Sequence, residues 1–407
     1  MNIAIVTSTF PKNNSDNIPK FIKNQIINLK SNYPELNFFV LAPDNNENIE
    51  LEESNHFKQI RFKYFWPKRF QVLTKNGIVN QLRRNFLNYL FIPFFFVSQF
   101  FYLFRLAKKE KINLIYAHWF FPQALNAFLV SKILKIPFVY TSHSSDVEIV
   151  KKRIPYLGKK IIRRISFEAK AISAPSKKII NKVKENFSII ELSDITTNVI
   201  PMGLNTKNVN LSKNKNFNSD QINILFLGRF SKKKGVHLLI KSIYKISNEL
   251  PEKKIKLILA GDGEEKDEYK SLINKYNLSS YVKFIGFIDE ENKYGIINDS
   301  DLLIVPSIET KSGDIEGLPV VILEGLYCGK IVITSTYTNA QEIIKDYYNG
   351  FIVEDINVDS LANKIIDVIN LDPKLKKTIQ LNAKKLGERF NSENNAKEFY
   401  NSMINIL

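Results

Sequence analysis

The stretch I-N-I-L-F-L-G-R-F-S-K-K-K-G-V-H-L-L-I-K-S-I-Y-K-I-S-N-E-L-P-E-K-K-I-K-L-I-L-A, Ile222–Ala260, holds one full repeat of the chain's architecture. Ile222–Leu227 and Ile255–Ala260 are apolar runs of strand length, and Gly235–Leu250 between them carries apolar residues at helical spacing. Strands that are apolar throughout need both faces covered, so strand, helix and strand read as a parallel βαβ unit. The same alternation continues outward. Glu265–Tyr276 is a helix, and Val282–Ile285, Leu302–Val305, Val332–Thr334 and Phe351–Val353 are further strands. Pro373–Leu407 has a helical pattern.

Toward the start of the chain the pattern repeats independently. Ile3–Val6, Asn37–Ala42, Leu114–Ala117 and Phe138–Thr141 read as strands, and Ile18–Leu29, Ala124–Leu134 and Ile161–Ile172 as helices, with Val199–Pro201 closing the series. Thr206–Gln221 is rich in Asn, Lys and Ser and is the natural linker. The fold class is therefore α/β, with two Rossmann-like, doubly wound domains whose ligands sit at strand carboxyl ends and face a cleft. At 407 residues the chain is too long for one ordinary core, which agrees with two domains.

Composition narrows the function classes. A single cysteine, Cys328, excludes an intramolecular disulfide framework and fits a reducing compartment. Four histidines and one cysteine offer no zinc-ligand spacing. The opening Met-Asn-Ile-Ala-Ile-Val-Thr reads as a first buried strand rather than a signal peptide, so the protein is expected in the cytoplasm. The net charge of +17 is uneven: residues 1–200 hold 30 Lys and Arg against 14 Asp and Glu, and the rest of the chain is close to neutral. Compositional bias explains many lysines but not their imbalance, which points to an anionic partner on the first half. No nucleic-acid reading module is present, and the aromatics are packed in apolar runs, so nucleic acid is the remote reading.

Phe86–Ala107 (F-L-N-Y-L-F-I-P-F-F-F-V-S-Q-F-F-Y-L-F-R-L-A) has nearly the length of a membrane span. Asn88, Pro93, Gln99 and Arg105 interrupt it, so a buried or interface-lying helix is the better expectation. Arg83 and Arg84 before it, and Lys108, Lys109 and Lys111 after it, are features of membrane-surface helices. Together with the basic run Lys151–Arg164, they predict peripheral attachment to an anionic membrane surface.

The candidate site lies in the second half. E-G-L-P-V-V-I-L-E, Glu316–Glu324, puts one carboxylate in a loop and the other about two turns along the following helix. Carboxylates accept from hydroxyls, and helix-start N–H groups hold phosphate, a combination that suits a nucleotide sugar. A capped, salt-bridged helix is the plainer alternative. In L-G-R-F-S-K-K-K-G, Leu227–Gly235, Arg229 and Lys234 follow a strand and form a basic pair; its plainer alternative is a solvated turn. His143 opens a polar turn after an apolar strand, within reach of a sugar hydroxyl or an acceptor. His118, among Trp119, Phe120 and Phe121, has the stronger structural reading. Asp299-Ser300-Asp301 has a metal-binding D-x-D spacing but reads as a helix-to-strand turn, so no metal is expected.

These segments resemble glycosyltransferase family 4, retaining enzymes of the GT-B fold, over nearly the whole length. The E-x7-E run and the basic glycine turn carry the resemblance, with L-A-G-D-G (Leu259–Gly263), F-I-G-F-I (Phe284–Ile288), A-H-W-F-F-P (Ala117–Pro122), T-S-H-S-S-D-V (Thr141–Val147) and I-P-M-G-L-N (Ile200–Asn205). The resemblance implies an acceptor-binding domain over 1–205, a linker over 206–221, a nucleotide-sugar domain over 222–385 and a helix over 386–407 that packs back toward the first domain. It implies a UDP- or GDP-sugar donor and a glycan or lipid-linked saccharide acceptor, as in bacterial surface polysaccharide synthesis.

By the same resemblance Glu324 binds both ribose hydroxyls, Glu316 serves the transferred sugar, His143 a sugar hydroxyl or the acceptor, and Arg229 and Lys234 hold the diphosphate. The Gly317 and Leu318 N–H groups, Gly261 and Ile288 complete the donor site. The resemblance implies retention at the anomeric carbon, with front-face attack within a UDP- or GDP-stabilised ion pair as the expected route, since no nucleophilic carboxylate is evident. The chain departs from the family pattern in four places. Phe10–Asn17 lacks glycine, Tyr337–Glu342 replaces S-G-x-P-E, and Ser144 and Asn205 stand where Gly and Asp are usual. A nucleotide-sugar epimerase or sugar phosphorylase shares the two-domain architecture and is the alternative; it needs no saccharide acceptor.

Overall fold

The computed structural model describes residues 1–13, 16, 18–44, 51, 53–74, 78–143, 146–204, 206, 221–310 and 315–405. Most of the expected linker, Ser144, Asn205 and parts of Phe10–Asn17 lie outside the described residues, as does the side chain of Arg83.

Two compact units form: residues 1–203 with 392–407, and residues 204–391. The first is built on a parallel sheet of β1 (Asn2–Val6), β2 (Asn37–Pro43), β3 (Phe57–Phe62), β4 (Leu114–His118), β5 (Phe138–Thr141), β6 (Ile172–Ala174) and β7 (Thr197–Val199), in the order β3-β2-β1-β4-β5-β6-β7. The second is built on β8 (Ile222–Leu227), β9 (Ile255–Ala260), β10 (Val282–Gly286), β11 (Leu302–Val305), β12 (Ile331–Ser335) and β13 (Phe351–Val353), in the order β10-β9-β8-β11-β12-β13. In both sheets the order reverses beside the first strand, and a doubly wound sheet binds ligands at that reversal.

The strand sequences explain the layers. Along β1, Ala4 and Val6 enter one buried cluster while Ile3 and Ile5 enter another on the opposite face. β8 does the same with Ile224 and Phe226 on one side and Leu225 on the other. The period-2 alternation of side chains thus feeds two apolar layers from one strand, and helices must cover both.

Two expectations change and one strand is added. Ile161–Ile172 is not one helix: the helix is Pro155–Glu168, and Ile172 belongs to β6. Its three residues are too few for periodicity to separate them from the preceding helix, and pairing with β5 and β7 decides their state. Phe57–Phe62, too polar to read as a buried strand, is β3 at the sheet edge, where one side needs less cover. The C-terminal helical segment divides at Asn391, so the last boundary falls there rather than at 385. Pro373–Gly387 packs in the second unit, and Ser392–Phe399 packs in the first.

That last helix is integral to the first unit. Ala396, Phe399, Met403 and Ile404 complete the cluster beneath β1, β2 and β4. Tyr400 stacks on Tyr33 at 3.8 Å between ring centroids, and Asn395 Nδ2 donates to the Pro201 carbonyl at 2.7 Å. Truncating a fully buried Phe costs roughly 3–5 kcal/mol. Phe399→Ala should therefore destabilise the first unit by about that much. Both tryptophans, Trp66 and Trp119, lie in that unit, so urea unfolding followed by their fluorescence reads it directly.

Candidate active site

In the second unit the carboxyl ends of neighbouring strands are stitched together. Gly228 N donates to Ala260 O at 2.9 Å, and Gly261 N donates to Gly286 O at 2.7 Å. A Cβ on Gly261, whose φ is +141°, would stand 1.9 Å from the Gly228 carbonyl oxygen, so only glycine lets these two exits meet. Gly235 does the same for the lysine turn: its φ is +68° and a Cβ would lie 1.9 Å from the Pro306 oxygen. The turn is therefore held flush against the exit of β11 before the helix Val236–Glu249 begins.

This places Lys233 and Lys234 on Glu316. Lys234 Nζ lies 3.2 Å from Glu316 Oε2, and Lys233 Nζ lies 3.4 Å from Oε1. Burial alone would push the Glu316 carboxyl up; the two ammonium groups override it and hold it down at about 2. Glu316 is thus ionised throughout the physiological range. It can accept hydrogen bonds but has no proton to give.

The loop carrying Glu316 is fixed from behind. Glu316 N donates to Tyr337 O at 3.2 Å, and Asn339 Nδ2 donates to the carbonyls of Glu316 and Gly317 at 2.9 and 2.7 Å. Asn339 is fully buried and left-handed (φ 53°), a conformation Asn tolerates better than most residues. The divergent segment Tyr337–Glu342 is therefore the support of the loop. With its carbonyls turned to Asn339, the loop leaves the Gly317 and Leu318 N–H groups without an acceptor among the described residues. They precede the helix Val320–Tyr327, whose Val320 and Val321 N–H groups likewise have no acceptor among the described residues.

Glu324, the fifth residue of that helix, is buried, with Oε1 2.5 Å from Lys293 Nζ. Gly325 beside it brings the helix close to β11, since a Cβ there would meet Leu303 Cδ2 at 2.4 Å. Arg229 is more open and pairs with Glu264 through Nε (3.1 Å) and Nη2 (2.9 Å). Ile288 is half-buried against the apolar face, next to the exposed Phe287. Asp299-Ser300-Asp301 lies at the opposite end of the sheet, where Asp301 Oδ2 accepts from Asn223 N at 2.7 Å and ties β11 to β8.

Among the expected residues, Lys234 and Glu316 meet directly, and Gly317 and Leu318 follow in the same loop. Arg229 and Gly261 share the glycine-lined edge, while Glu324 stands on the next helix. Sequence reasoning missed three partners: Lys233, taken as part of a solvated run; Asn339, in a segment without a motif; and Lys293, one lysine among many on the helix Glu290–Asp299.

In the first unit, His118 ends β4 and His143 follows β5. His118 Nδ1 and His143 Nε2 share a hydrogen bond of 2.9 Å, and their rings stack at 5.1 Å. Trp119 adopts φ 73°, and its ring and that of Phe21 flank His143 at 4.9 and 5.1 Å. The buried Asp146 braces both loops: Oδ2 accepts from Phe120 N at 2.7 Å, and Oδ1 accepts from Ser142 Oγ and Val147 N. His118 thus orients His143, which is the less enclosed of the two.

Burial lowers the His143 imidazole to about 3, and burial with the neighbouring ring lowers His118 well below 6.5. Both are neutral when folded and basic when unfolded. Their stabilisation is complete above pH 6.5 and drains away as pH falls toward 3. One such imidazole is worth roughly 2 kcal/mol between pH 7 and pH 5. The first unit should lose at least that much over this interval, and His118→Asn/His143→Gln should flatten the profile, as read by urea titration of tryptophan fluorescence.

Known proteins share this chain's sequence pattern and fold. A family model described as Glycosyl transferases group 1 matches residues 208–386, and one described as Glycosyltransferase Family 4 matches residues 39–208. An uncharacterized glycosyltransferase of Methanocaldococcus jannaschii is 31% identical over 289 residues, 71% of this chain and 74% of its own. A Campylobacter jejuni α-1,4-N-acetyl-D-galactosaminyltransferase, named for an acceptor on diNAcBac-PP-undecaprenol, is 27% identical over 70% of this chain and 72% of its own. Anabaena HepE, solved with UDP-glucose, superposes with a TM-score of 0.66 at 18% identity, covering 98% of each chain. Two doubly wound parallel sheets with these relatives define a glycosyltransferase of the GT-B class. Within that class, the chain belongs to the group 1 glycosyltransferases of family 4 type.

Proposed function

We propose that this glycosyltransferase moves a sugar from a nucleoside diphosphate, UDP or GDP, to a saccharide acceptor with retention at the anomeric carbon. The second unit holds the donor and the first holds the acceptor. The observation that carries the reading is the pairing of two carboxylates, the largely buried Glu316 and the buried Glu324, with Lys234 and Lys293 at the carboxyl end of the second sheet beside open backbone donors. HepE's complex with UDP-glucose and the Campylobacter relative's saccharide acceptor support the substrate classes.

Each group then has a task its environment suits. Glu324, whose Oε1 lies 2.5 Å from Lys293 Nζ, accepts from the ribose hydroxyls. Glu316, with no proton at neutral pH, accepts from hydroxyls of the transferred sugar and positions it. Arg229, Lys234 and the Gly317 and Leu318 N–H groups neutralise the departing diphosphate, so a divalent ion is dispensable and activity should persist in excess chelator. Lys234 leaves its present contact with Glu316 or shares it as phosphate arrives. His143, neutral and held by His118, orients the acceptor through a ring nitrogen. Attack occurs on the face the diphosphate leaves, within an ion pair that these cations stabilise.

Thermal-shift titration with UDP, GDP and their sugars tests the reading, because a ligand selective for the folded state raises its Tm. At least one should do so. A hydrogen bond to a charged group contributes roughly 1.5–3 kcal/mol. Glu324→Gln should therefore reduce the Tm shift sharply and lower kcat/KM at least about tenfold. Stabilisation by no nucleotide, or an unchanged shift in Glu324→Gln, would sink the assignment.

A further inference from the structure

The turn Phe86–Phe91 and the helix Ile92–Lys109 present two apolar faces. The inner face is anchored. Phe95, Leu103, Leu106 and Ala107 are buried in the first unit's core, and Asn126 Nδ2 donates to Gln99 Oε1 at 2.9 Å. The outer face carries Leu87, Leu90, Phe94, Val97 and Phe101, all exposed and spaced alternately three and four residues apart. By length and composition the segment is long and apolar enough to cross a bilayer. Crossing would empty the core of its inner face and strand the buried Gln99–Asn126 pair, so the anchored helix can meet lipid only sideways.

Its neighbourhood extends the apolar surface. The helix leads into β4, so its beginning lies level with the strand carboxyl ends. There the Phe65 ring meets those of Phe91 and Phe94 at 4.8 and 5.0 Å, next to Trp66, which is 86% exposed. On the other side the Arg153 guanidinium lies 5.5 Å from the Tyr89 ring. That contact joins the helix to the start of Pro155–Glu168, where Tyr156 and Leu157 are 76% and 56% exposed. Exposed aromatic and aliphatic side chains thus cluster on one rim.

Cations surround that rim. Arg69, Arg84, Lys152, Arg153, Lys159 and Lys160 are exposed, and none has a carboxylate partner among the described residues. Lys160 lies 4.5 Å from the Tyr156 ring and Arg69 5.1 Å from the Phe70 ring, each an ammonium or guanidinium beside an aromatic body. An apolar centre with a positive margin complements a bilayer with anionic headgroups. A second copy of the chain would instead bring two such positive margins together.

We propose that this rim, centred on Leu90 and Phe94 and bordered by Arg84, Arg153 and Lys160, docks the first unit on the surface of an anionic lipid bilayer. The inference stands apart from the donor reading. It adds a substrate consequence: His118 and His143 follow strands β4 and β5 on the same carboxyl side of this sheet, so a saccharide carried on a membrane lipid is the acceptor that docking would present.

Co-sedimentation of the full chain with vesicles of phosphatidylcholine, alone or mixed equally with phosphatidylglycerol, tests the proposal without reference to activity. The protein should pellet with the anionic vesicles and be released as salt shortens the Debye length below about 8 Å. Leu90→Ser/Phe94→Ser should lower partitioning about tenfold while leaving the far-UV circular dichroism unchanged. Lys152→Gln/Arg153→Gln/Lys159→Gln/Lys160→Gln should remove the preference for anionic over neutral vesicles. A wild-type chain that stays in the supernatant at low salt overturns the proposal, as do variants that pellet like wild type. A molar mass in light scattering that doubles with concentration, and is lost in Leu90→Ser/Phe94→Ser, identifies a second copy as the occupant and also overturns it.

Discussion

Two carboxylates held out of water at the edge of the second sheet constrain everything around them. Burying a carboxylate without a cation is costly, and lysines come to both; at Glu316 two of them hold the carboxyl down against the burial that would raise it. Glu316 is met by Lys233 and Lys234, and Glu324 by Lys293. Bringing the lysine turn to Glu316 requires the left-handed Gly235 against Pro306. Holding Glu316 in place requires Asn339 beneath its loop. The apolar layers, the close glycine contacts and the divergent 337–342 segment all serve one arrangement of charge.

The first unit solves the opposite problem. Its candidate groups are two imidazoles kept neutral by burial, braced by an aspartate whose oxygens are taken up by Phe120, Ser142 and Val147. A preorganised neutral ring suits acceptor hydroxyls, just as fixed charges suit a departing diphosphate. The two candidate sites differ in charge type: ion pairs in the second unit, neutral rings in the first. The surplus positive charge of the first half lies outside this histidine site, and much of it surrounds the exposed aromatic rim.

Much of this was legible in the sequence because it depends on periodicity and local motifs. Continuous apolar strands such as Ile222–Leu227 and Ile255–Ala260 announce a covered parallel sheet, and Glu316–Glu324 announces its own loop and helix. What remained hidden depends on contacts between distant segments. The three residues of β6 have no period of their own, and β3 is too polar to read as a strand. Lys293 is indistinguishable in sequence from many other lysines until Glu324 lies against it. Asn339 stands in a segment notable only for lacking the family's residues, yet it holds the loop that carries Glu316. The helix Ser392–Phe399 completes the unit nearly two hundred residues upstream, which no local pattern records.

In the proposed mechanism Glu324, paired with Lys293, reads a ribose. Calorimetric binding of UDP and GDP against their 2′,3′-dideoxy counterparts, in wild type and in Glu324→Gln, measures this most directly. At least one ribonucleotide should bind about tenfold or more tightly than its dideoxy form, since a charged acceptor left unpaired costs at least that much. Glu324→Gln should erase most of the difference. Equal affinity for ribose and dideoxyribose in the wild-type chain would contradict the account.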